Sequence, residues 1–106
     1  MAKYLLAFSY SKEGVQGLLK DGGSKRRAAV EELAKSLGAK LEAMYYTFGD
    51  SDGIAIIDGP DNVSMAAASL IVAATGAASI KTTVLLTPEE IDEAAKKSGK
   101  YVPPGQ

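Results

Sequence analysis

The sequence predicts an α+β fold in the order βαββαβα, and three observations lead there. Four short runs rich in aliphatic and aromatic residues, at 3–9, 40–48, 53–57 and 80–86, read as strands. The segments between and after them carry helix caps and helix stops. The length of 106 residues, 46% of them hydrophobic, suits one modest core.

Strand one, Lys3 to Ser9, gives way at Ser11 to a short helix that Ser11 caps and that runs to about Leu19. Asp21, Gly22 and Gly23 break it, and Ser24 then caps a longer helix ending at Leu37 and Gly38. Val30, Leu33, Ala34 and Leu37 make the apolar stripe of that helix. Lys25, Arg26, Arg27, Glu31, Glu32 and Lys35 face water and pair along the helix surface.

Lys40 to Phe48 and Gly53 to Ile57 form strands two and three, joined through Gly49-Asp50-Ser51-Asp52 in a span short enough for an antiparallel hairpin. Pro60, Asp61 and Asn62 start a second main helix that reaches about Thr75 and stops at Gly76. Ile80 to Leu86 is strand four. Thr87, Pro88 and Glu90 have the spacing of a capping box and open a last helix to about Ser98. The tail Tyr101 to Gln106 reads as extended or loose.

Short connections favour a four-stranded antiparallel sheet with both main helices on one face, a ferredoxin-like plan with an added C-terminal helix. Residues 1–98 make the domain, and 99–106 an extended or flexible tail.

Twelve basic and thirteen acidic side chains nearly cancel, which disfavours a nucleic-acid partner. The RNA-binding domains that share the strand and helix order carry an aromatic motif on strand three, and here that strand reads Gly-Ile-Ala-Ile-Ile-Asp. Cysteine and histidine are absent, so any site runs on Asp, Glu, Lys, Arg, Tyr, Ser or Thr. No metal and no cofactor is expected. The uncharged stretch Val63 to Ile80 approaches the length of a membrane span, but it is rich in Ala and interrupted by Gly76, so it reads as a buried helix running into a strand. The N-terminus shows no secretory pattern, and the expected location is the cytoplasm.

A sheet covered on one face should alternate apolar and polar residues, and this one does not. Tyr4, Leu6, Phe8 and Tyr10 point one way while Leu5 and Ala7 point the other. In strand two Met44, Tyr46 and Phe48 oppose Leu41, Ala43 and Tyr45. A second copy of the chain is the simplest cover for the second face, so a homo-oligomer, dimer or higher, is expected. The uncharged helix Ser64 to Thr75 agrees with burial on most of its sides.

The opening Lys3 to Tyr10, the segment Gly38 to Asp50, the run Pro60 to Ser64 and the ending Lys81 to Glu90 together resemble GYD-domain proteins over about residues 3 to 97. That resemblance implies a bacterial or archaeal protein of the dimeric α/β barrel type, and it lends no activity. Family members typically carry tyrosine just before the last aspartate of the motif at Gly49-Asp50-Ser51-Asp52, where this chain has Ser51.

Candidate ligand-binding residues are Tyr10, Tyr46, Phe48 and Lys81, lining the space between sheet and partner as an apolar pocket with a few polar groups. Asp50 and Asp52 join them as paired carboxylates able to hold a hard cation or move a proton, although Asp and Gly are also what tight turns select. Lys81 suits an anionic substrate or a desolvated base, and snorkelling to water is its ordinary fate.

The leading functional expectation is a small-molecule-binding or regulatory module with its pocket at the sheet face or subunit interface. One alternative is a cofactor-free monooxygenase- or isomerase-like enzyme using Tyr46, Lys81 or Asp52 for protons. The other is a structural self-assembly protein.

Overall fold

The computed structural model describes residues 2–106. The elements are β1 (Ala2–Tyr10), α1 (Lys12–Asp21), α2 (Gly23–Ser36), β2 (Lys40–Tyr46), β3 (Gly53–Gly59), α3 (Asn62–Ala74), β4 (Ala78–Leu85) and α4 (Pro88–Ala95). The strands form one antiparallel sheet in the order β2-β3-β1-β4, the ferredoxin-like arrangement. Among the described residues no helix is long and apolar enough to cross a membrane.

Local chemistry explains where most elements start. Ser11 caps α1, its side chain accepting from the Gly14 amide, and Asp61 caps α3 by accepting from the Ser64 amide at 2.7 Å. Thr87 and Glu90 close a reciprocal capping box at α4.

Ser24 does not cap α2. Gly22 takes that place with φ +82°, a left-handed conformation that lets the helix restart at Gly23 and puts Ser24 inside the first turn. Asp21, just before the break, lies 3.6 Å from Lys25 Nζ and 4.0 Å from Arg26.

The core lies between the sheet and the layer of α2 and α3. Tyr4, Leu6, Ala55 and Ile57 of the central strands pack with Ala34 of α2 and Met65 of α3. Tyr4 is 1% exposed and donates its hydroxyl to Asn62 Oδ1 at 2.7 Å, so this tyrosine is a core residue with its polar tip satisfied.

Strand two departs from simple alternation. Leu41 opposes Ile57 and Ala43 opposes the next residue, Ile56, so β2 carries one extra residue, a β-bulge. The bulge turns Leu41 to the same side as Met44, where both pack on the core. The alternation expected from sequence had set them on opposite faces. β2 also ends at Tyr46, and Phe48 stands in the following loop, fully exposed.

On the face away from the helices, Leu5 and Ala7 of β1 lie beside Ile56 and Ile54 of β3, all half-buried. Ion pairs from Lys3 to Glu42 and to Asp58 edge this patch at one end. Helix α3, expected to be buried on most sides, buries only Met65 and Ala68 within the chain. Its outer side exposes Val63 and Leu70.

Candidate functional site

Helices α2 and α3 sit over opposite halves of the sheet, α2 against β2 and α3 against β4. The space left between them is a cavity of about 130 Å³ over the central strands. Leu6, Phe8 and Ala55 form its floor, Val30 and Leu33 one wall, and Ala68 the other. Among the described lining residues every side chain is apolar except Tyr10 and Arg26.

Those two meet at one end. The two-residue repeat at the end of β1 places Tyr10 beside Phe8 on the same face, ring centroids 5.5 Å apart and edge-on, and Tyr46 also packs edge-on against Phe8 at 6.0 Å. Burial pushes the Tyr10 hydroxyl up to about 12, a hydrogen bond with Tyr46 adds to the rise, and the Arg26 guanidinium partly offsets it. At neutral pH the end of the cavity therefore presents a protonated phenol and a guanidinium that the Asp21 carboxylate, 4.0 Å away, partly neutralises. Both are hydrogen-bond donors.

The six residues singled out from sequence do not form one site. Tyr10 and Tyr46 come together around Phe8. Lys81 opposes Ala7 in the ladder, one residue out of phase with Phe8 and Tyr10, so it projects from the opposite face of the sheet. Phe48 and Asp50 are exposed in the hairpin loop.

Asp52 is built into the turn. Its amide donates to the Phe8 carbonyl at 2.9 Å, and its Oδ2 accepts from the Tyr10 amide at 2.7 Å. The carboxylate thus continues the β1 ladder past the start of β3 and fixes the backbone that carries Tyr10. Ser51 takes part through its carbonyl, which accepts from Thr47 Oγ1. Among the described residues no three acidic side chains converge as ligands for a metal ion.

Arg26 was read from sequence as a solvent-facing member of a basic run. The signal for its other role lay in the spacing 26, 30, 33, 37, which puts it on the apolar stripe one turn ahead of Val30. Its neighbours do face water, Lys25 towards Asp21 and Arg27 towards Glu31 at 3.8 Å.

A family model described as the GYD domain matches residues 4–95. No curated protein and no solved structure matches the chain.

Proposed function

The chain belongs to the GYD domain family, and from its cavity we propose that it is a binding or regulatory module for a small, mainly apolar molecule with one anionic head. One observation carries the reading: an apolar cavity of about 130 Å³ whose polar lining groups, Tyr10 and Arg26, converge at one end. Apolar cavities of about 150 Å³ accept a benzene-sized molecule, so the body of the ligand is one aromatic ring or a short branched chain. The guanidinium selects a carboxylate or similar anion for the head, with the Tyr10 hydroxyl as second donor.

Proton abstraction is less favoured by this geometry. A phenol held near 12 donates at neutral pH, and Lys81 stands on the other face of the sheet. The reading includes self-association through the face that bears Leu5, Ala7, Ile54 and Ile56. That face is apolar in the middle and charged at its rim, by Lys3, Glu42 and Asp58 at one end and by Lys81 on β4, as a surface made to meet its own copy would be.

Benzoate is the simplest probe, with benzyl alcohol as its uncharged counterpart, and isothermal titration of the full chain is the measurement. Saturable benzoate binding is expected, weakened on the order of tenfold by Arg26→Ala, since a hydrogen bond to a charged group contributes about 1.5–3 kcal/mol. Ala68→Leu should block the cavity and abolish binding while the chain still melts cooperatively. Benzoate affinity indifferent to both substitutions, or no saturable binding of either probe, would overturn the reading.

A further inference from the structure

After β4 the chain leaves its own body. Of residues 86–106 only Thr87 is even half covered, and every side chain from Pro88 to Gln106 is exposed. The hydrogen bonds of this arm are local, at the Thr87–Glu90 box and within the α4 turns. The molecule is accordingly drawn out to 57 × 32 × 23 Å with a radius of gyration of 17.0 Å. A compact chain of this length has about 13 Å.

The arm is nevertheless built to be covered. A helix of eight residues does not hold itself in water, whatever its cap, and depends on packing of an apolar side. Leu86 and Ile91 flank the capping box as a hydrophobic staple, and Ala94 and Ala95 follow Ile91 at helical spacing. Leu86 and Ile91 are both more than half exposed. Tyr101 and Val102 extend the apolar content further along.

The same chain carries a groove of matching chemistry. It runs between α3 and the edge strand β4, mostly apolar through Met65, Leu70, Ile80 and Val84, with Asn62, Ser69 and Thr82 as its polar lining and no charged side chain entering it. Leu70 is 71% exposed there and Val84 49%. The grooves beside α2 carry charge, from Glu31 and Lys35 in one and Arg27 in the others. Each chain thus has an uncovered arm with an apolar side, its charges at Glu89, Glu90, Asp92 and Glu93 left for water, and an uncovered, mostly apolar groove that its own arm does not fill.

We propose that the arm, residues 86–106, docks in the α3/β4 groove of a second copy of this chain, reciprocally, so that the two copies exchange arms. The arm can cover a long groove: the two residues before α4 span about 7 Å, the eight-residue helix about 12 Å, and the eleven residues after it roughly 35 Å fully extended. Reciprocal exchange of one element closes a twofold pair without leaving a free copy of either surface. This inference does not depend on the cavity or on the open sheet face.

The absence of cysteine makes the test direct. Full-length chains carrying only Ile91→Cys are mixed with chains carrying only Leu70→Cys under mild oxidation. Both positions are exposed, so neither substitution threatens the fold. The mixed disulfide should form about a hundredfold faster than in a control pairing Ile91→Cys with Thr83→Cys on the open face, because docked thiols see a millimolar local concentration. A mixed-disulfide rate equal to the control overturns the proposal. So does an Ile91→Cys, Leu70→Cys double variant that closes its disulfide within one chain, which would put the arm in its own groove.

Discussion

Asp52 shows how a residue with functional chemistry can be committed to architecture. Just before β3 begins, β1 still has an amide to satisfy at Tyr10, and the Asp52 carboxylate supplies the acceptor at 2.7 Å. The next residue is fixed as tightly: a Cβ on Gly53 would stand 2.1 Å from the Phe8 ring, so only glycine lets that ring lie flat against β3. Together they set the positions of Phe8 and Tyr10, which floor and close the cavity. Asp52→Ala strips a partly covered amide of its partner and should cost about 1–3 kcal/mol in urea unfolding. Asp52→Asn keeps an acceptor oxygen and should recover most of that loss. An Asp52→Ala chain as stable as the parent would show that the carboxylate does not hold the turn.

The elements were legible in the sequence wherever the signal is local. Ser11, Asp61 and Thr87 each accept from an amide three residues on, so the caps of α1, α3 and α4 can be read from four consecutive residues. The bulge in β2 could not be read that way, because the extra residue shows only against the partner strand, and with it went the facing of Leu41. Nor could the cap of α2, which rests on the backbone of Gly22. Arg26 was hidden by its basic neighbours, although its phase on the helix was correct for the cavity. The Asp61 cap makes a pH test at this scale. The Ser64 amide holds its carboxyl below the usual value of 3.8. A depressed pKa in the folded state contributes stability that is present above 3.8 and lost as pH falls through the lower, folded value. Asp61→Ser caps without titrating there. It should match the parent chain near neutral pH and lose less thermal stability on acidification, and an identical acid limb in both would remove Asp61 from the account.

At the scale of the whole molecule, two surfaces remain unfinished, and they are independent. The arm and its groove lie on the helix side and at the β4 edge, whereas Leu5, Ala7, Ile54 and Ile56 lie on the opposite side of the sheet. The apolar character of both sheet faces was visible from sequence in the alternation of β1, whereas the facing read for strand two failed at its bulge. The arm's detachment was not visible, because the same Thr87 cap and Ile91 spacing would serve a helix folded back on its own sheet. Ile56 separates the two surfaces experimentally. It sits between Leu5 and Ala43, near the centre of the open face. A lysine there can extend into water in a single chain, but in a face-to-face pair it would be buried among Leu5, Ala7 and Ile54, with the nearby carboxylates of Asp58 and Glu42 already paired to Lys3, at a cost of several kcal/mol. The parent chain should scatter light at a multiple of 11.0 kDa at micromolar concentration, and Ile56→Lys should reduce that multiple while the Ile91–Leu70 mixed disulfide still forms. An Ile56→Lys chain that keeps the parent mass would exclude the sheet face as the contact and leave arm exchange to account for the assembly. A parent chain that scatters as a monomer would dismiss both.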